Sequence, residues 1–210
     1  IVASSPSIVL CHPQDPNVIF TSGNVIQEKY LTRDGGRTWE PFSPSAAGDE
    51  LKVDPRDPSH MLLITEMSDI YESYDSGRTF QRINDGFWGA KVFDIAAAAD
   101  GSRIYASTIG VGISELSPPE QDWRHLTGSP DYAYRLEVDP LDSGVLYATY
   151  SPKIFENHSS IWRYSGDQEA DFGWSEIFRI NDSRGITSLA FDGSNSDRIY
   201  AGVIGRGGTI

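Results

Sequence analysis

Short runs of alternating apolar and polar residues recur along the chain, and turn-forming residues separate them. Four segments follow one plan: an alternating run ends in an Asp or His, a polar turn follows, and a β-rich run begins. They are SIVLCHPQDPNVIF, ELKVDPRDPSHMLL, RLEVDPLDSGVLYA and SLAFDGSNSDRIYA, and DIAAAADGSRIYAST repeats the plan with a shorter turn. Alternation with a period of two is typical of half-buried β-strands, and no window keeps the apolar stripe of a helix. The chain is therefore predicted to be all-β.

The large apolar residue that follows each turn marks the length of the repeat. These residues are Phe20, Leu62, Tyr105, Tyr147 and Tyr200, separated by 42, 43, 42 and 53 positions. Four antiparallel strands in every 40 to 45 residues are the pattern of a β-propeller blade. The pattern predicts a propeller of four-stranded antiparallel blades, with about four and a half blades present. The predicted repeats lie at approximately 7–48, 49–90, 91–130, 131–185 and, incomplete, 186–210.

These repeats are predicted to form a single propeller domain or part of one. A closed ring leaves no long sheet edges, whereas the fifth repeat stops before its third strand. We therefore expect the chain to be part of a larger ring. A compact five-bladed ring, closed by the N-terminal segment, is the alternative.

One turn sequence occurs twice in register with these repeats. TRDGGRTW spans residues 32–39 and SYDSGRTF spans 73–80, with the two aspartates 41 positions apart. A glycine supplies positive φ, an Asp carboxylate accepts backbone N–H bonds, hydroxyl groups tie the ends of the turn, and an aromatic ring packs beneath it. A structural role is therefore expected for Thr32, Asp34, Gly36, Thr38, Trp39, Ser73, Asp75, Gly77, Thr79 and Phe80.

The pattern Ser/Thr-x-Asp-x-Gly-x-Thr-Trp/Phe resembles the Asp-box, or BNR repeat, of sialidase-like, sortilin-like, xyloglucanase-like and photosystem-assembly-factor-like propellers. The third repeat has lost the motif, and the fourth keeps a stretched remnant in YSGDQEADFGWSEIF. The resemblance implies a turn between the third and fourth strands of a blade. It also implies an extracytoplasmic protein that either binds a partner or hydrolyses a glycan.

The acidic balance of the chain narrows the range of partners. Lys and Arg total 17 against 30 for Asp and Glu, a net charge of −13. Such a field repels phosphate backbones, so we expect no nucleic-acid partner. No run of 18 apolar residues is present, so we expect no direct membrane insertion.

The four histidines are scattered and no phosphate loop is present, so we expect no metal and no cofactor. Cys11 lies in an apolar run and is predicted to be buried.

The face of the blades opposite the Asp-box turns is the candidate binding surface. It is built from the links between blades and from the loops after each second strand. Aromatic rings beside polar groups suit sugar rings or an extended partner peptide. In the alternative interpretation, the same aromatics wedge between blades. The candidate binding residues are Phe87, Trp88, Tyr132, Tyr134, Phe155, Arg184 and Arg206.

Catalysis requires carboxylates that the sequence does not single out. A sialidase-like site needs an arginine cluster with a Tyr–Glu pair and an Asp, and a xyloglucanase-like site needs two facing carboxylates. Asp69, Asp94 and Glu156 are the candidate acids, but no family motif surrounds them. The sequence therefore favours a non-catalytic binding or assembly module for a protein partner or a glycan. A glycoside hydrolase with part of its active site outside this chain is the alternative.

Overall fold

The computed structural model describes residues 6–23, 29–41, 48–54, 57–65, 69–85, 87, 91–120, 122–150, 158–166, 170–182, 184–192 and 195–204. The chain is organised in two compact units, residues 1–84 and 85–210, and each is described by itself. The prediction that all repeats form one domain stays a prediction.

The first unit contains two four-stranded antiparallel sheets. Both sheets follow the order of the chain, so each strand pairs with the next one. Sheet 1 consists of β1 (Pro6–Cys11), β2 (Ile19–Gly23), β3 (Lys29–Thr32) and β4 (Glu40–Pro41), and sheet 2 of β5 (Gly48–Val53), β6 (Met61–Thr65), β7 (Ile70–Ser73) and β8 (Gln81–Arg82).

The second unit contains two further four-stranded antiparallel sheets and one two-stranded sheet. A short 3₁₀ helix, Ala170–Gly173, lies within the fourth repeat between its third and fourth strands. Sheet 3 consists of β9 (Val92–Ala97), β10 (Ile104–Thr108), β11 (Gly112–Leu116) and β12 (Arg124–His125). Sheet 4 consists of β13 (Ala133–Val138), β14 (Val145–Tyr150), β15 (Ser159–Ser165) and β16 (Trp174–Ile180), and sheet 5 of β17 (Gly185–Asp192) and β18 (Asn195–Ile204).

The repeat residues of the sequence occupy one structural position. All five lie in the second strand of their sheet, each opposite a residue of the first strand, for example Phe20 opposite Leu10 and Tyr105 opposite Ala96. The prediction of four-stranded antiparallel sheets in the order of the chain is confirmed. Strands β6, β10 and β11 are buried at every position, so the alternation of buried and exposed residues belongs to other strands of the sheets.

The hydrophobic cores lie between consecutive sheets. In the first unit, Phe20 and Leu31 of sheet 1 pack with Met61 and Leu63 of sheet 2. In the second unit, one cluster joins sheets 3 and 4 and another joins sheets 4 and 5.

Cys11 is exposed, so the prediction of a buried thiol is wrong. It is the last residue of β1, where the strand leaves the packed face and enters a turn.

Candidate functional site

The turn at residues 32–39 is closed by its own side chains. Thr32 Oγ1 donates a hydrogen bond to Asp34 Oδ1 at 2.8 Å and accepts one from the Gly36 N–H at 2.9 Å. Asp34 also accepts from the Thr38 backbone N–H at 2.9 Å and from Thr38 Oγ1 at 2.6 Å. The Trp39 indole N–H donates to the Gly36 carbonyl oxygen at 3.1 Å. The predicted residues of this turn therefore bond mainly to one another.

The turn at residues 73–80 repeats this geometry. Ser73 Oγ donates to Asp75 Oδ1 at 2.9 Å and accepts from the Gly77 N–H at 3.0 Å. Asp75 accepts from the Thr79 backbone N–H at 2.8 Å and from Thr79 Oγ1 at 2.7 Å. Gly36 and Gly77 have φ of +89° and +75°, and Phe80 packs against the core between sheets 1 and 2. We call these two segments the aspartate turns.

The aspartate turns hold their carboxylates in the ionised form. The hydroxyl of Thr38 is the main cause that lowers the pKa of Asp34 to about 2, and Thr79 does the same for Asp75. A general acid or base needs a pKa near the working pH, so neither carboxylate suits proton transfer. The described part of the chain also contains no group of three or more His, Cys, Asp or Glu side chains arranged to hold a metal ion.

The two candidate acids that the structure describes are both engaged by other protein groups. Arg82 Nε donates to Asp69 Oδ1 at 2.7 Å. Asp94 is buried, and its carboxylate accepts hydrogen bonds from the backbone N–H groups of Ile95 at 2.8 Å and Leu136 at 2.9 Å. Leu136 belongs to β13, so Asp94 joins the first strands of sheets 3 and 4. Glu156, the third candidate, lies outside the described residues.

Asp94 and Arg135 occupy the same position in successive repeats. They stand opposite Ser107 and Thr149, and the backbone N–H of each donates a hydrogen bond to the side-chain oxygen of that partner, at 3.1 and 3.0 Å. Arg135 Nε in turn donates to the Thr187 carbonyl oxygen of β17 at 3.1 Å. A carboxylate in one repeat and a guanidinium in the next therefore each reach the first strand of the following sheet.

A β-bulge precedes this position in all five first strands. The register of pairing shifts there, so that Ser7, Asp49, Phe93, Tyr134 and Thr187 are the extra residues. A bulge changes the direction of side chains locally and is often found beside binding sites. In the second unit, two of these extra residues are large aromatics.

Phe93, Tyr134 and Arg135 form what we call the first-strand aromatic surface. The rings of Phe93 and Tyr134 lie 5.2 Å apart between centroids at an angle of 55°. The guanidinium carbon of Arg135 lies 5.1 Å from the centroid of the Tyr134 ring, within the range of a cation–π contact. Tyr134 is 36% exposed and Phe93 is half-buried. This surface therefore combines a partly exposed tyrosine ring with a neighbouring positive charge.

Of the other predicted binding residues, those that the structure describes lie beside different partners. Phe87 packs edge-on against the buried Trp123 at 5.1 Å between ring centroids. Tyr132 is half-buried beside Gly110. Arg184 is exposed and donates from Nε to both carboxylate oxygens of Asp182, at 3.0 and 2.8 Å. Trp88, Phe155 and Arg206 lie outside the described residues.

Sequence reasoning missed Phe93 and Arg135, since it searched the loops for binding residues. The signal was present in the first strands, where VFD and AYR occupy the same place in two repeats. It also missed a cluster at the ends of β6 and β7, where the buried His60 Nε2 lies 2.9 Å from the buried Glu72 Oε1 and the His60 ring stacks on the exposed Tyr74 ring at 4.8 Å between centroids. Partial burial of Tyr74 and its hydrogen bond to the Glu72 carboxylate raise the pKa of that phenol.

Comparison with solved structures identifies the architecture. The chain resembles the GH74 xyloglucanase of Xanthomonas campestris with a TM-score of 0.70 and 15% identity, over 93% of this chain and 35% of that one. It resembles a structure described as YCF48 bound to D1 peptide with a TM-score of 0.61 and 17% identity, over 89% of this chain and 58% of that one. A putative TolB from Agrobacterium tumefaciens matches with a TM-score of 0.64 and 16% identity, over 90% of this chain and 66% of that one. All three are β-propeller proteins.

The fold is that of a β-propeller. In this propeller the four four-stranded sheets correspond to blades, and sheet 5 corresponds to the first two strands of another. The chain spans about a third of the xyloglucanase and less than two thirds of the other two proteins.

No protein-family model and no curated protein matches the sequence. The part of the chain that the structure describes includes no helix of the length and hydropathy that a membrane span requires.

Proposed function

We propose that this chain is an extracytoplasmic, non-catalytic binding module that holds a protein partner or a glycan on its first-strand aromatic surface. One observation supports this proposal above all others: bulges in β9 and β13 place Phe93 and Tyr134 in contact, with Arg135 over the exposed ring. A half-open aromatic face with a cation suits the apolar face of a sugar ring or an extended peptide. The two described candidate acids are engaged by an arginine and by backbone N–H groups, so they act as structural groups in this proposal.

The likeness to YCF48 bound to D1 peptide makes a peptide ligand a reasonable probe, and the likeness to xyloglucanases does the same for a glycan. The Asp-box interpretation of the aspartate turns belongs to this proposal as well. It assigns those turns to scaffolding, so their substitution is expected to change stability and leave binding intact.

The test is retention of the labelled chain on an array of immobilised β-glucan oligosaccharides, sialylated oligosaccharides and extended peptides. We expect wild-type protein to be retained on a subset of spots and Tyr134→Ala to lose that subset. Leu141→Ala is the matched control, because Leu141 is 72% exposed and belongs to a turn of the same sheet. Equal retention of wild-type and Tyr134→Ala on every spot would exclude this surface as the binding site.

A glycoside hydrolase is the second candidate, since several of the similar structures are GH74 enzymes. Its acids would come from Asp69, Asp94 and Glu156, completed by groups outside this chain. The distinguishing measurement is release of reducing sugar from xyloglucan and of sialic acid from sialyllactose. Release that Asp69→Ala or Glu156→Ala abolishes, in protein that remains folded by circular dichroism, would establish the hydrolase and overturn the non-catalytic proposal.

A further inference from the structure

The fourth strand of sheet 4 differs from the fourth strands of the other blades. Strands β4, β8 and β12 are two residues long, whereas β16 has seven residues with the sequence WSEIFRI. Among the strands that the structure describes, β16 pairs with β15 on one side and stands at the edge of the sheet on the other. Its backbone therefore presents a row of hydrogen-bonding groups along that edge, long enough to accept another strand.

The exposed side chains of β16 are partly apolar. Ile177 is 47% exposed and Phe178 is 50% exposed. They stand next to each other on the exposed side because the pairing with β15 shifts here: Phe178 is opposite Ile161 and Glu176 is opposite Trp162, so Ile177 is an extra residue. A long edge with two adjacent exposed apolar side chains is a recognised site of strand pairing between molecules.

The charges flank these apolar residues symmetrically. Glu176 precedes the pair and Arg179 follows it, and within one chain Arg179 Nε donates to Glu176 Oε1 at 2.7 Å. Consider a second copy of β16 aligned antiparallel, with the two-fold axis between Ile177 and Phe178. Glu176 of one copy is then opposite Arg179 of the other at both ends, and Ile177 is opposite Phe178 twice. Opposite charges and apolar pairs placed directly across two strands stabilise that pairing.

From this self-complementarity we infer that β16 is an interface between two copies of this chain, which pair antiparallel through their edges. A two-fold interface uses the same surface on both copies, so it must be self-complementary, and the Glu-Ile-Phe-Arg order meets that condition. Charged residues and bulges on an edge normally hinder such pairing. The extra residue Ile177 lies beside the two-fold axis, so the bulges of the two copies face each other. Here each charge meets its opposite, so the same residues favour one register over the others.

The test is sedimentation equilibrium of four proteins. Wild-type protein is expected to dimerise reversibly. Glu176→Arg and Arg179→Glu are each expected to weaken the dimer by at least about tenfold, because each places like charges across the axis. An equimolar mixture of these two variants is expected to dimerise again, since both cross-strand pairs are then Arg with Glu. This recovery cannot come from the bond within one chain, because each variant lacks that bond.

Leu141→Lys serves as a control for added charge and is expected to dimerise as wild-type does. Circular dichroism establishes that each variant is folded before it is compared. Wild-type protein that stays monomeric at the highest soluble concentration contradicts the inference. A dimer that the single variants leave unchanged, or a mixture of the variants that remains monomeric, contradicts it equally, and would place any self-association on another surface.

Discussion

At the scale of single residues, the two aspartate turns show how one motif performs the same task twice. In each turn the carboxylate accepts bonds from a Thr hydroxyl and the Thr backbone, and a hydroxyl residue caps the glycine N–H. Hydrogen bonds to an ionised acceptor are stronger than those between neutral groups. This is why a short polar segment can hold a fixed shape at the surface without a core of its own.

The first prediction concerns acid stability. The pKa of Asp34 and of Asp75 is about 2 in the folded chain, and an unfolded Asp titrates near 3.9. Because the folded pKa is the lower one, the stabilisation is complete above about pH 4 and is lost as the pH falls towards about 2. Asp34→Asn and Asp75→Asn should therefore lower the urea midpoint at neutral pH, and the difference from wild-type should shrink between about pH 4 and 2. A difference that stays constant with pH would show that the carboxylate charge is not the stabilising group.

A glycine substitution tests the crowding under the second turn. Gly77 has φ of +75°, and a Cβ there would lie 3.2 Å from Phe20 Cε1 and 3.3 Å from Met61 Sδ. Gly101 has a similar φ of +72° and no atom within 4 Å of its Cβ position. Gly77→Ala should cost about 2–4 kcal/mol, from backbone strain and core crowding together, and Gly101→Ala only about 1 kcal/mol. Urea unfolding measures both, and equal losses would mean that the core yields around the added methyl group.

At the scale of the elements, the first strands are joined by groups at one repeated position. Asp94 connects β9 to β13 through the Leu136 N–H, and Arg135 connects β13 to β17 through the Thr187 carbonyl. The two side chains have opposite charge, yet both bond to the backbone of the next sheet. In the second unit, this repeated position thus links sheet 3 to sheet 4 through a carboxylate and sheet 4 to sheet 5 through a guanidinium.

This linkage predicts different losses for the two described candidate acids. Asp94→Ala leaves the buried Ile95 and Leu136 N–H groups without this acceptor and should cost about 2–4 kcal/mol. Asp69→Ala removes a partly exposed pair with Arg82 and should cost less than about 1 kcal/mol. Thermal or urea unfolding gives both values. A larger loss for Asp69→Ala than for Asp94→Ala would contradict the structural role of the buried carboxylate.

The strands and their order could be predicted from the chain alone, but the first-strand aromatic surface could not. The recurrence of Phe20, Leu62, Tyr105 and Tyr147 indicates four blades, and burial of one face gives the first strands a period of two. That same period fails at Phe93 and Tyr134, since each is the extra residue of a bulge. Alternation in the sequence does not reveal a bulge, because a bulge is defined by how two strands pair. The side chains that a bulge exposes therefore could not be predicted from the sequence.

At the scale of the whole molecule, two adjacent positions of the first strands serve the scaffold and the proposed binding. Asp94 and Arg135 join neighbouring blades, while the residues immediately before them, Phe93 and Tyr134, form the aromatic surface. The chain carries a net charge of −13, and Arg135 places a positive charge beside the Tyr134 ring. We therefore expect ligands that combine an apolar face with a polar or anionic group, and we expect no affinity for the phosphate backbone of nucleic acids.

The most direct test of the binding proposal is an equilibrium titration of the ligand that the array retains best, against wild-type protein, Tyr134→Phe and Tyr134→Ala. Product analysis of the same samples records any turnover. We predict that Tyr134→Phe keeps the affinity within about threefold because the ring remains, that Tyr134→Ala weakens it by at least about tenfold, and that no product forms. Unchanged affinity in Tyr134→Ala, or release of product by wild-type protein, would contradict the proposal.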